Sequence, residues 1–283
     1  MGFFRSKTDR ALLQIRQKLD GYEIPTFPST TMTVLSLLRS SQSTVKDITT
    51  SIEMDPGLHV KVLRTVNSAA FGLGKKVSNL DHAIKLLGRA RLESTVLSTV
   101  VSGALPEFET SCFDHRKFWL YSSRRAALSR ILASKIHPET QPESFTAAFL
   151  MDIAVSIMAH IKKDKYCNLW KQAQSAGEIG GVVDLENKLL SFNHCQLGGI
   201  LGDMWELPPY LIKNILFHHS VDWKNNVEPS VRIVSHIFNE DEVDTARVLQ
   251  LNIQPIFNLS EPDLKDIITE AFESAREFHS FIS

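Results

Sequence analysis

Cysteine is scarce: Cys112, Cys167 and Cys195 are the only three in 283 residues. No two form a CxxC pair and the number is odd. The sequence therefore predicts neither a disulfide framework nor a structural zinc site, and it fits a reducing cytosol. An excess of one charge is also lacking. Lys+Arg total 31 and Asp+Glu 32, a formal net charge of −1, which does not single out nucleic acid as a partner, although a local basic patch remains compatible with it. No run approaches the roughly 18 consecutive apolar residues of a membrane span. The N-terminus has no apolar signal segment, and its MGFFRS start is read as a chance match to the myristoylation pattern. P-loop, Rossmann and G-x-S-x-G signatures, internal repeats, low-complexity tracts and useful strand alternation are all missing.

What is present is helical patterning, with 43% hydrophobic residues, enough for one large core or two packed subdomains. The most organised stretch runs from Asp55 to Arg91. Asp55-Pro56 has the chemistry of a helix start: Asp accepts from a free backbone N–H and Pro fits the first turn. Leu58, Val62, Leu63 and Val66 recur at helical spacing. NSAAFG (Asn67, Ser68, Phe71, Gly72) breaks that helix, with Phe71 expected as a buried plug. Ser78-x-x-Asp81 and Thr44-x-x-Asp47 are spaced as capping boxes, and Gly88 is an expected helix stop. Further helices are expected over Ser6–Leu19, Thr30–Arg39, Arg116–Ile136, Ser144–Ile161, Asp164–Ala176, Asp184–Phe192, His194–Met204, Pro209–His218 and Glu228–Phe238. A last amphipathic helix carries Leu264, Ile267, Ile268, Phe272 and Phe278.

DP-x-L-x-x-x-V-L-R-x-x-NSAAFG, followed by Ser78-x-L-x-x-AI-x-x-LG, resembles the core of the HDOD family, bacterial signalling proteins related to HD phosphohydrolases. Ile24-Pro25-Thr26-Phe27-Pro28 resembles that family's opening, and the likeness runs on through Phe118-Trp119, Asp152 and Trp205–His219. The resemblance implies an all-α, multi-helical HDOD-type fold. Its expected parts are an N-terminal helix (1–21), an HDOD domain (22–240) and a helical tail (241–283). Within the domain, a helical subdomain (22–105) packs on a degenerate HD-like part (106–240).

HD phosphohydrolases hold metal with a first-helix His, a His-Asp pair and a later Asp. Against that pattern, Tyr121 stands for the first His, Met151 for the second, and His236 for the final Asp, while Asp152 remains. A thioether is a soft ligand and a phenol a weak one, so the resemblance implies that the hydrolase chemistry is lost. Against this, His194, His218 and His219 resemble extra ligands of the HD-GYP relatives. Together with Asp152 and His236 they outline a residual site for a divalent metal (Mn, Fe, Ni or Mg), although no cofactor is expected. The bland reading is that these histidines cap or pack helix ends. Lys75, Lys76, Arg89, Arg91, Arg124 and Arg125 are read as surface or salt-bridge charges rather than ligand clamps. Cys195 beside His194 is not expected to form a reactive pair, because neighbours on a helix point about 100° apart.

The function implied is a non-catalytic cytoplasmic signalling module. It would act through protein contacts, with response-regulator or cyclic-dinucleotide systems, or through a nucleotide-like ligand. No receiver or output domain lies in the chain, which implies a signal received in trans. The alternatives are a metal-dependent phosphohydrolase of nucleotides or cyclic dinucleotides, using Asp152, His194, His218 and His219, and a nucleic-acid-binding regulator. No membrane partner is expected, and the sequence leaves the oligomeric state open.

Overall fold

A computed structural model describes residues 19, 22–67, 77–105, 113–175, 181–220, 227–237, 242–253 and 259–282. Among them the regular structure is helical, without a strand. In chain order the helices are α1 (Ser29–Arg39), α2 (Val45–Glu53), α3 (Pro56–Val66), α4 (Leu80–Ala104), α5 (His115–Ile136), α6 (Gln141–Leu150), α7 (Ile153–Ser175), α8 (Gly181–Leu190), α9 (His194–Met204), α10 (Pro209–Phe217), α11 (Pro229–Val234), α12 (Glu242–Ile253) and α13 (Glu261–Ile282). The chain divides into two compact units, each discontinuous in sequence. One comprises Met1–Pro25, Leu105–Phe118 and Leu150–Glu228; the other comprises Thr26–Ala104, Trp119–Phe149 and Pro229–Ser283. The expected helix over Ser6–Leu19 falls outside the described residues, except for Leu19, which is buried.

In the second unit the helix starts follow local chemistry. Thr44 and Asp47 close a reciprocal capping box on α2. Asp55 accepts from Leu58 N–H (3.0 Å) and Pro56 opens α3. Asn67 ends α3: its amide donates to the Leu63 and Val77 carbonyls and its oxygen accepts from Val77 N–H (2.7 Å), which ties the two sides of the intervening segment together. Ser68, Phe71, Gly72, Lys75 and Lys76 lie outside the described residues. The expected box at Ser78 is replaced by Asn79, which accepts from His82 N–H (2.8 Å), while Asp81 accepts instead from the Thr49 hydroxyl. Gly88 interrupts α4 at φ 74°, ψ 171°, a conformation open to glycine because it lacks Cβ. Arg89 then donates to the carbonyls of Leu37, Ser40 and Ser43, so it is a structural clamp on the end of α1. Arg91 reaches Gln141, and the Arg124 guanidinium lies 4.3 Å from the Phe272 ring centre.

The C-terminal helix is α13. It packs against α3 and α4. Phe278 meets Phe145 and Phe149 edge to face at 5.2 and 5.4 Å, and Phe149 stacks on Trp119. Each such buried side chain stabilises by about 1.5–3 kcal/mol from area alone.

The first unit contains α7 to α10. The single helix expected over Ser144–Ile161 is broken: α6 ends at Leu150, a turn of Met151 and Asp152 follows, and α7 begins at Ile153. Both turn residues are buried, so the break carries no polar turn signal. Further on, α7 kinks at Lys163 (φ 41°, ψ −120°), where the sequence predicted two separate helices. The stretch Pro138–Gln172 is long and apolar enough to cross a membrane by composition, yet 89% of its apolar window is buried inside the protein, as for a core helix. Asn193 and Gln196 form a capping box that starts α9 at His194. Pro208 caps α10 and Pro209 is its first residue, whereas α9 already ends at Met204 with Trp205 as its cap, so the prolines start a helix rather than stop one. α9 and α10 approach closely because Gly198 and Gly199 face α10: a Cβ on Gly198 would lie 2.6 Å from the Ile215 side chain, and one on Gly199 would overlap Leu216.

Candidate metal centre

Four residues from three elements of the first unit converge on one buried point. Asp152 comes from the turn before α7, His194 from the first residue of α9, and His218 and His219 from the end of α10. One ligand atom from each of these four residues lies within 4.8 Å of the others. Asp152, His194 and His218 are buried, and His219 is partly exposed. The close α9–α10 approach lets residues 24 positions apart in sequence bring their ring nitrogens to 3.3 Å.

The orientation of each ring follows from what lies behind it. Glu186, fully buried on α8, accepts from His194 Nδ1–H (2.7 Å), from His194 backbone N–H (2.9 Å) and from the Tyr166 hydroxyl (2.6 Å). His218 Nδ1–H donates to the Ile215 carbonyl at 2.8 Å. With both Nδ1 atoms turned outward, both Nε2 atoms face inward. They stand 3.3 and 3.2 Å from Asp152 Oδ1. Three lone-pair atoms thus form a triangle with edges of 3.2 to 3.3 Å. Such atoms repel unless a cation or shared protons lie among them.

The titration of the metal-free cluster follows. Burial alone would lower both imidazolium groups. The neighbouring charges of Cys195 and Glu186 outweigh it at His194 and carry its pKa well above the ordinary value. Cys195 and Asp152 do the same at His218, to about 9. Burial raises the Cys195 thiol, but the two imidazoles bring it down to about 6. Burial, then the Glu186 charge, pushes the Tyr166 phenol well above its usual range, so it remains a donor.

The donors fit a divalent metal. Metal–nitrogen and metal–oxygen bonds of about 2.0–2.2 Å put neighbouring ligands about 2.9–3.5 Å apart, the separation found among Asp152, His194 and His218. Neutral imidazole with carboxylate suits borderline and oxygen-tolerant divalent ions. The expectation that the hydrolytic chemistry is lost with Tyr121 and Met151 is corrected here: an intact Asp/His/His/His set assembles without either of them. Substitution of the His-Asp pair at Met151 removes one donor, and the histidines of α9 and α10 supply others. Met151 is fully buried and Tyr121, on α5, is half-buried. His236 is not in the four-residue group; its Nδ1 donates to the Arg232 carbonyl (3.2 Å).

The sequence reading missed two residues behind the centre and misjudged a third. Glu186 sits between Val182 and Leu190 at four-residue spacing on the buried face of α8; an acidic residue on an apolar stripe is the signal that marks it. Tyr166 offered no such signal. Cys195 does contact His194, Sγ to Nε2 at 3.4 Å, because the imidazole spans the angle that separates the two positions on the helix. Cys167, for which no disulfide was expected, is disulfide-bonded, whereas Cys195 is free.

Residues 24–221 match the HDOD domain family. The chain is a member of the HDOD family. A crystal structure of a candidate phosphohydrolase from Shewanella amazonensis SB2B is similar at TM-score 0.74 and 22% identity, over 96% of this chain and 98% of that one. A candidate signal transduction protein from Marinobacter aquaeolei VT8 is similar at TM-score 0.71 and 15% identity, over 97% of this chain and 66% of that one. At these identities the likeness establishes the all-α HDOD-type fold. Among curated proteins, an uncharacterized protein of Treponema pallidum (strain Nichols) is 22% identical over 218 residues, 77% of this chain. The chain spans about two fifths of that relative's length, 41%.

Proposed function

We propose that the chain is a metal-dependent phosphohydrolase that cleaves a phosphoester of the nucleotide or cyclic-dinucleotide class. The carrying observation is the inward triangle of His194 Nε2, His218 Nε2 and Asp152 Oδ1. These atoms, with His219, would hold the ion. The chemistry such an ion would supply there is a lowered pKa for bound water and polarisation of a phosphoryl oxygen. The protein's own part is orientation and exclusion. Glu186 and the Ile215 carbonyl hold the Nδ1 protons of His194 and His218 and so keep both Nε2 lone pairs inward. Tyr166, kept protonated, fixes Glu186. Burial of Asp152, His194 and His218 themselves keeps bulk water from the centre, and partly exposed His219 marks the approach from solvent.

As an HDOD protein the chain is further assigned to cytoplasmic signal transduction, with response-regulator or cyclic-dinucleotide systems as partners. Residues 22–240 would form the working domain (22–105 and 106–240), flanked by 1–21 and 241–283. The family match over 24–221 supports that extent. The test is turnover of a panel of phosphomonoesters, phosphodiesters and cyclic dinucleotides by the full chain loaded in turn with Mn, Fe, Ni, Zn or Mg. Metal-dependent turnover that disappears in Asp152→Ala is expected. A metal-loaded protein that turns over none of them, or turnover unchanged in Asp152→Ala, would overturn the proposal.

A further inference from the structure

Beside the triangle, and outside the group of four, lies a sulfur. Cys195 Sγ stands 3.4 Å from His194 Nε2 and 4.0 Å from His218 Nε2, the two nitrogens that face Asp152. The residue is 5% exposed and its thiol is free. Its position is set by the same Asn193 capping box that places His194, so both side chains enter the centre from the first turn of α9. Bonds of about 2.3 Å to sulfur and 2.0–2.1 Å to nitrogen place two ligands of one ion about 3.1–3.6 Å apart. The contact to His194 falls in that range, and the contact to His218 lies just beyond it.

We propose that Cys195 Sγ is a further ligand of the centre, and that it makes the site select a thiolate-accepting divalent ion (zinc, iron(II) or cobalt(II)) over magnesium. This rests on the metal-centre reading above and sharpens it. Carboxylate and water serve magnesium and manganese, imidazole leans toward the borderline ions, and a soft sulfur donor adds to that preference. The ligand is the thiolate: its proton goes to solvent and a sulfur lone pair goes to the ion. The other described cysteine does not compete, because Cys167 is disulfide-bonded.

Cobalt(II) added to metal-free full-length protein tests this by absorption spectroscopy. The expected spectrum has visible d–d bands, which report binding, and a near-ultraviolet sulfur-to-cobalt charge-transfer band, which reports the thiolate. Cys195→Ser and Cys195→Ala should keep the d–d bands, lose the charge-transfer band and lower the zinc-over-magnesium preference at least about tenfold, since even outer-shell partners carry that much. Wild-type d–d bands without charge transfer would overturn the role of Cys195 and leave the metal centre standing. Failure of wild-type protein to show d–d bands would overturn both. The wild-type spectrum decides the matter even where a variant fails to fold.

Discussion

The segment from Asp55 to Asn67 and the centre around Asp152 both place polar side chains among apolar helices, to opposite ends. Asp55 faces a backbone N–H and Asn67 bridges backbone groups on both sides of a segment. Each of those polar atoms meets a complementary one. At the centre, two imidazoles and a carboxylate turn like atoms toward one another at 3.2 to 3.3 Å. The first arrangement is complete in itself and stabilises a fold. The second is completed only by positive charge. The stretch with the most specific sequence pattern is therefore architectural among its described residues, while the chemistry lies in weaker motifs spread over 67 positions from Asp152 to His219.

Breaking the centre should have the largest effect on function. Asp152→Ala is expected to lower metal affinity by more than about a hundredfold, because outer-shell partners alone carry 10–100-fold; calorimetric titration of metal into the full chain would measure it. Glu186→Gln comes next. It leaves His194 Nδ1 without its carboxylate and should weaken metal binding by about 10–100-fold while the helical circular dichroism is retained. A smaller effect follows from pH. The metal-free His218 holds its proton up to about pH 9, and binding must displace that proton. Metal affinity should therefore rise with pH toward 9, by about tenfold per unit for each proton released, and fall as pH drops. The Cys195 thiol, already brought to about 6, adds no further pH dependence between 7 and 9. The smallest effect belongs to the architectural segment: Asp55→Ala should cost about 0.5–2 kcal/mol in denaturant unfolding and leave metal affinity unchanged. A matching loss of metal affinity in Asp55→Ala would erase the contrast between the two regions.

How much of this was legible in the sequence depended on range. Helix starts at Thr44, Asp55 and Asn193 obey rules that span three or four residues, and the Thr44 and Asp55 starts were read from those rules alone. The same rules misplaced the start of α4, because Ser78 and Asn79 both offer a side-chain oxygen and the choice depends on Asp81 being drawn to Thr49 across 32 positions. The break at Met151-Asp152 was invisible, since a buried turn between two apolar helices shows no change of composition. Asp152, His194, His218 and His219 were recognisable as candidates. That they meet depends on Gly198 and Gly199 letting α9 lie against α10, a packing fact that a residue-by-residue comparison with the HD pattern does not contain. That comparison counted substitutions at Tyr121 and Met151, and so it undervalued donors contributed from elsewhere.

The most direct test of the metal centre is elemental analysis of the full chain, purified without chelator and without a histidine tag, beside an Asp152→Ala control carried through in parallel. The account predicts bound divalent metal in near-stoichiometric amount in the wild type and its loss in the control. Wild-type protein that neither retains metal nor takes it up on dialysis against divalent ions would contradict it, and the triangle of Asp152, His194 and His218 would then be held together by protons alone.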